Sequence, residues 1–325
     1  MRIAVDADGG DYAPQEIVKG ALEAAAGQDM EIILLGDRPV IEKLLAPEKP
    51  VAGITIMHTS QHISCDENPM QAVRSKPDSA IVRGIDMLKL GEADAFVSAG
   101  NTGAVLGASY FNLKTLEGIE RPALGVMIPL GSSPFLLIDG GANTDCQARF
   151  LVQFAQLGDA FARRFMGIGS PRIGLLNNGA EPAKGSGLTR EAHKLLSQSG
   201  LNFAGNIEGQ DVFRGKVDVL VTDGFTGNVF LKTIEGCGEM LHSLLKDASP
   251  SLSIQGNNGG SPVLKKLDFS EYGGSCLLGV NGTVVVSHGR SKARAMKNAV
   301  LFAHRTAASG VAASIRDGLH PGAQP

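Results

Sequence analysis

Tryptophan is absent from the 325-residue sequence, and aromatic residues make up only 5% of it. Proteins that stack sugars or single-stranded nucleic acid on aromatic platforms need more rings than that. A basic excess is missing too. Thirty Lys and Arg against 33 Asp and Glu give a net charge of −3, which argues against a general nucleic-acid binder. The four cysteines, Cys65, Cys146, Cys237 and Cys276, form no CxxC pair. Neither a zinc site nor a redox motif is therefore expected, and a reducing, cytoplasmic compartment fits. No apolar run approaches the ~18 residues that a membrane span needs. The opening MRIAVDADGG runs straight into a strand and lacks the pattern of a signal or transit peptide. GxGxxG, HExxH and GxSxG do not occur, so dinucleotide, zinc-protease and serine-hydrolase chemistry have no motif to rest on.

What the sequence does have is apolar residues at 43%, charged residues at 19%, and 42 glycines. The first two predict a large core rather than a disordered chain, and the glycine share is roughly twice the usual ~7%. Short β-rich runs alternate with helix-like stretches. Arg2–Val5, Glu31–Leu35, Ile54–Met57, Ala95–Val97, Phe135–Ile138, Ile173–Leu176, Val217–Val221 and Thr283–Val286 read as strands apolar on both faces, as in a mostly parallel sheet. Helices are predicted over Pro14–Ala26, over Asp78–Leu90 with Asp78 as N-cap, over Ala148–Phe165 and Thr189–Leu196, after Gly227, and from about Ser291 toward Ala308. In the helix after Gly227, Phe230, Ile234, Cys237, Leu241 and Leu244 are expected to share one apolar face. The alternation predicts a three-layer α/β/α sandwich. We expect a single catalytic domain over 1–325, with a helical protrusion near 227–270, a mobile loop near 249–260 and a frayed tail over His320–Pro325.

The informative residues follow the strands. Asp6-Ala-Asp8-Gly-Gly-Asp11, Ser98-Ala-Gly100-Asn101-Thr102-Gly103, Asp139-Gly-Gly-Ala-Asn143, Asn177-Asn178-Gly179 with Lys184-Gly185, Thr222-Asp223-Gly224 with Gly227-Asn228, and Ser287-His288-Gly289-Arg290 all sit where parallel α/β sheets place their ligands. One Gly/Asn turn is an ordinary cap or loop. Six of them predict a cleft for an anion, held by turn N–H groups, helix N-termini, Lys184 and Arg290. Two near-misses lead nowhere. Gly179–Ser186 (GAEPAKGS) is a Walker A loop with its last Gly-Lys transposed. Arg2–Gly10 (RIAVDADGG) starts like a haloacid-dehalogenase phosphatase, without a convincing later acidic pair.

Taken together, DADGGD at Asp6–Asp11, SAGNTGA at Ser98–Ala104, RPALG at Arg121–Gly125, IDGGAN at Ile138–Asn143, LLNNGAEPAKG at Leu175–Gly185, GNIEGQD at Gly205–Asp211, TDGFTGNVFLKTIEG at Thr222–Gly236 and EYGGSCLLGVNGTVVVSHG at Glu271–Gly289 resemble the PlsX-type phosphate acyltransferases of bacterial phospholipid synthesis. The resemblance covers nearly the whole chain. It implies an isocitrate-dehydrogenase-like α/β/α fold, a homodimer, no metal and no other cofactor. The implied reaction is acyl-ACP plus inorganic phosphate to acyl phosphate plus acyl carrier protein (ACP). The product would pass to a membrane-bound glycerol-3-phosphate acyltransferase. The family usually has Met where this chain has Asp8, so a carboxylate is added beside the expected anion site. The family also has a longer basic, apolar hairpin where this chain has Ser249–Gly260, so peripheral contact with the inner membrane face should be weak and salt-sensitive.

For that reaction phosphate is itself the nucleophile, and no Ser–His or Cys–His dyad is needed. Lys184 is the first choice for phosphate charge. The turns Gly100–Gly103 and Gly141–Asn143 are expected to offer backbone N–H groups. Asn178, Asn228 and Thr102 would orient carbonyl or phosphate oxygens, Asp223 would accept a phosphate proton or anchor Lys184, and His288 would protonate the leaving thiolate. Asp6, Gly9, Gly10, Asn101, Gly103, Asn143 and Gly185 complete the expected substrate-binding set. Two alternatives remain at this point: a noncatalytic adaptor joining ACP to a membrane enzyme, and a DxDG-type phosphomonoester hydrolase using Asp6.

Overall fold

The computed structural model describes residues 1–47, 53–130, 133–248 and 273–319. In chain order the elements are β1 (Arg2–Asp6), α1 (Gln15–Ala25), β2 (Glu31–Gly36), α2 (Arg38–Leu45), β3 (Ile54–His58), α3 (Pro69–Ser75), α4 (Ala80–Leu90), β4 (Ala95–Ser98) and α5 (Thr102–Ala108). Next come β5 (Ala123–Ile128), β6 (Phe135–Ile138), α6 (Ala148–Arg164), β7 (Ile173–Asn177), α7 (Gly187–Ser197), β8 (Phe203–Glu208), β9 (Val219–Val221) and α8 (Gly224–Ala248). The last are β10 (Ser275–Leu278), β11 (Thr283–Val286), α9 (Ala293–Ser309) and α10 (Val311–Leu319). The expected loop at 249–260, the end of the expected protrusion, and the tail from His320 lie outside the described residues.

Two compact units divide the chain: Met1–Pro122 with Tyr272–Pro325, and Ala123–Glu271. In the first, strand order is β3-β2-β1-β4-β11-β10. All pairs are parallel except β10 with β11. Here α1 packs on α9, and the Gly20 site is filled so closely by Ala293 and Met296 that a β-carbon would lie 2.5 Å from the Ala293 carbonyl oxygen. The α4 helix approaches β4 at Gly84, against the fully buried Phe96 ring. Each such buried large apolar side chain contributes ~1.5–3 kcal/mol.

In the second unit the order is β5-β6-β9-β7-β8, parallel except β5 with β6. Successive strand residues point to opposite faces. Leu136, Ile138 and Val219 therefore meet α6 at Gly158, while Leu137 and Leu220 join a cluster with Leu231 of α8. A sheet covered by helices on both faces is the layered α/β architecture the sequence predicts.

Three local expectations change. The cap of α4 is Ser79, whose Oγ accepts from Val82 N, while the Asp78 carboxylate accepts from Ser60 N and Oγ. The α8 helix starts at Gly224 rather than after Gly227. Its buried side is Leu231 and Ile234 with Phe230 half-buried against Phe213, whereas Leu241 and Leu244 are exposed at 42% and 57%. Cys237 is exposed as well.

Candidate active site

In the first unit, the carboxyl ends of β1, β4 and β11 carry the predicted residues. Asp6 is 2% exposed. Ser98 Oγ donates to its Oδ2 at 2.6 Å, Asp8 N donates to its Oδ1 at 3.2 Å, and Gly100 N donates onward to Ser98 Oγ at 3.0 Å. Gly9 is required because a β-carbon there would overlap the Asp6 carboxylate and lie 2.7 Å from Gly100 N. Gly10 has φ +113°, a conformation that L side chains rarely adopt. Asn101 is a staple. Its Oδ1 caps α5 by accepting from Ala104 N, and its Nδ2 donates to the carbonyls of Ser64, Cys65 and Glu67. Thr102 is exposed on the first turn of α5, and Gly103 lies against Pro69. His288 is exposed after β11, its Nδ1 accepting from Arg290 N at 3.3 Å. That bond leaves the ring proton of a neutral imidazole on Nε2.

Burial pushes the Asp6 carboxyl up to about 6 from 3.8, against the pull of the Ser98 hydroxyl. Burial likewise raises Asp8, whose carboxylate occupies the space over Gly36. A folded pKa above the unfolded one means the native state holds the proton more tightly. The stability Asp6 supplies is complete below about pH 4 and is lost as pH rises through about 6. At 1.36 kcal/mol per unit the loss is about 3 kcal/mol at most. Wild-type melting temperature is therefore expected to fall between about pH 4.5 and pH 7, and that of Asp6→Asn to fall by several degrees less. Parallel melting curves for the two proteins would remove Asp6 as the group responsible.

In the second unit the ends of β6, β7 and β9 carry the rest. Asp139, which the sequence marks only as the first residue of its strand-end motif and without a role, organises them. It is fully buried, and its Oδ1 accepts from the backbone N–H groups of Leu124, Gly141 and Ala142. Its Oδ2 accepts from Asn143 N at 2.7 Å and Asn143 Nδ2 at 2.9 Å. Burial raises its pKa while those donors pull the other way. The turn Gly141–Asn143, expected to offer N–H groups to substrate, is thus satisfied internally by Asp139. Likewise Gly100 N is taken by Ser98. The signal for Asp139 was present in IDGGAN: an acid at a strand end followed by two glycines.

Asp223 caps α8, accepting from Thr226 N at 2.9 Å and Thr226 Oγ1 at 2.7 Å, where the sequence pointed to a phosphate proton or Lys184. Asn228 is exposed and rests over Gly141. After β7, Asn177 Oδ1 accepts from the N–H of the exposed Asn178, and Asn177 Nδ2 donates to Lys184 O. Lys184 is exposed, lies over Gly179, and makes no side-chain hydrogen bond or ion pair among the described residues. Gly185 has φ +97°, and its turn is closed by Asn177 and Thr189. Cys146 is no nucleophile, since burial pushes its thiol up to about 11. Among the described residues no group of three or more His, Cys, Asp or Glu is placed to hold a metal ion.

An α/β chain with exposed Asn, Gly and Lys at its strand ends has the fold of the phosphotransacylases. The EutD phosphotransacetylase from Staphylococcus aureus matches 94% of this chain and 94% of its own, with TM-score 0.64 and 15% identity. A branched-chain phosphotransacylase from Enterococcus faecalis matches 94% and 99%, with TM-score 0.61 and 16% identity.

Residues 1–314 match the family described as "Fatty acid synthesis protein". A protein of Dehalococcoides mccartyi named phosphate acyltransferase is 51% identical over 320 residues, 96% of this chain and 92% of its own. One of the same name from Thermoanaerobacterium thermosaccharolyticum is 44% identical over 311 residues, 92% and 91% of the two chains. This chain belongs to that family, and it is an acyltransferase.

Proposed function

We propose that the protein transfers a fatty acyl group from acyl-ACP to inorganic phosphate, forming an acyl phosphate for phospholipid synthesis. The 51% identity to a phosphate acyltransferase over 96% of the chain carries this reading. The chemistry agrees with the residues present. A phosphate oxygen attacks the thioester carbonyl, the new C–O bond forms, the C–S bond breaks, and the thiolate takes up a proton. Phosphate being the nucleophile, the protein supplies charge and position rather than a nucleophilic side chain. In the second unit Lys184 offers a cation that has no partner among the described residues, with Asn178, Asn228 and Asn143 as neutral hydrogen-bonding groups. His288, in the first unit, could give the thiolate its proton only as an imidazolium; as the neutral ring that accepts at Nδ1 from Arg290 N it can donate a hydrogen bond from Nε2. No metal or cofactor is part of the proposal. The hydrolase alternative needs Asp6 open to an incoming phosphoester, whereas Asp6 is buried under Gly9 and held by Ser98.

The test is release of free ACP thiol from acyl-ACP by purified protein. We expect release that requires phosphate and is unchanged by EDTA. No phosphate-dependent release would leave a noncatalytic adaptor, and EDTA-sensitive release of phosphate from a phosphomonoester, with no thiol release, would favour the hydrolase. The proposed partners are ACP, phosphate, a second copy of this chain and, transiently, a membrane-bound glycerol-3-phosphate acyltransferase at the inner face of the membrane. We place the homodimer contact on α8, where Phe225, Val229, Met240 and Leu244 are 63%, 52%, 56% and 57% exposed. Light scattering reads it, and a monomer at micromolar concentration refutes it. No described helix is long and apolar enough to cross a membrane.

A further inference from the structure

A carboxylate that is fully buried and accepts five hydrogen bonds is an expensive way to close a turn, because removing it from water costs several kcal/mol before the donors compensate. At Asp139 the donors come from three places: Leu124 in β5, the turn Gly141–Asn143, and the Asn143 side chain. A carboxylate only accepts, so the amide facing it must present Nδ2. The Asn143 orientation is thereby fixed, with its carbonyl oxygen as the end directed away from Asp139. The same turn reaches α8. Asn143 O accepts from Gly224 N at 2.7 Å. A β-carbon on Gly224 would lie 2.8 Å from Asp139 Oδ2, and one on Gly227 would overlap the Asp139 carbonyl oxygen. A β-carbon on Gly141 would stand 3.4 Å from Asn228 Cβ, so Asn228 rests on the turn that Asp139 holds.

We infer that Asp139 is a positioning residue for acyl transfer, fixing the Asn143 amide and, through the Asn143–Gly224 bond, the first turn of α8 that carries Asn228. The inference rests on the acyl-ACP–phosphate reading, and it assigns Asp139 no contact with the reacting atoms. A displacement of ~1 Å in a positioning group costs on the order of 10²-fold in rate.

The experiment measures kcat and KM for acyl-ACP, together with thermal unfolding, in wild type, in Asp139→Asn and in Asp139→Asn combined with Asn143→Asp. The single variant sets an NH₂ group against the Asn143 donors. The double variant moves the carboxylate to the other end of the same 2.9 Å bond. Below its melting temperature, Asp139→Asn is expected to lose on the order of 10²-fold in kcat, with KM for acyl-ACP within about twofold of wild type. The double variant keeps the pair without the Asn143 amide and should stay on the order of 10²-fold down in kcat. Wild-type kcat in folded Asp139→Asn, or in the double variant, overturns the inference. If Asp139→Asn does not fold, Asn143→Ala decides: it deletes the oriented amide and keeps the four backbone donors. A kcat near wild type in that variant overturns the inference, and a loss on the order of 10²-fold supports it. A wild-type protein with no phosphate-dependent activity would fail the parent reading instead.

Discussion

Lys184→Ala is expected to fold as wild type and to lose at least ~10²-fold in phosphate-dependent acyl transfer, equivalent to roughly 3 kcal/mol of transition-state stabilisation. The fold should not notice, because the side chain is exposed and bonded to no described partner. Its backbone does the structural work, with Lys184 N donating to Glu181 O and Lys184 O accepting from Asn177 Nδ2. Alanine keeps both bonds. Steady-state rates at low phosphate, beside a melting curve, separate the two roles. Turnover near wild type at low phosphate would remove Lys184 from the proposed site.

The largest effect on stability is expected at Gly227. A β-carbon there would overlap the Asp139 carbonyl oxygen and lie 3.0 Å from Thr222 Cγ2. Backbone is the obstacle, so no rotamer change relieves it. Gly227→Ala must shift α8 against β6, a cost of ~3 kcal/mol or more at the upper end of overpacking effects. Gly236, nine residues further along the same helix, is the control. Nothing lies within 4 Å of its missing β-carbon, so Gly236→Ala should stabilise the protein by ~0.5–1 kcal/mol. Chemical denaturation midpoints give both signs. A Gly227→Ala protein as stable as wild type would mean that α8 is not seated on the Asp139 turn.

All eight strands read from sequence keep their place to within two residues. They were legible because buried parallel strands are short, apolar on both faces and separated by helices. The strands that escaped break that rule. The β5 and β10 strands pair antiparallel with β6 and β11, with no helix between the partners, so a strand–helix alternation has no place for them. The β8 strand is interrupted by Gly205 at φ +89° and by Asn206, a polar residue spent on His193 and the Glu181 carbonyl.

At the site, polar residues after strands were legible as a set, but their division of labour was not. Asn101 and Asp223 look like ligands in one dimension. They turn out to satisfy α5 and α8, because an Asn or Asp side chain that can reach its own backbone does so. Asp139 was hidden for the opposite reason. Its partners are mostly backbone N–H groups, which no side-chain pattern records.

The place of β11 has a consequence for the order in which the chain is made. All five strands of the second unit lie in one continuous stretch, Ala123–Glu271. The first unit is split, and β11 is the parallel neighbour of β4 in a sheet whose other parallel strands are complete by Ser98. On a ribosome, about 185 residues separate the synthesis of β4 from that of Thr283–Val286, the segment that covers its edge. At ~5–20 residues per second, that edge waits unpaired for roughly ten to forty seconds. A message cut short after residue 271 would yield a chain in which β4 keeps an open edge, the geometry that invites pairing with a neighbouring chain.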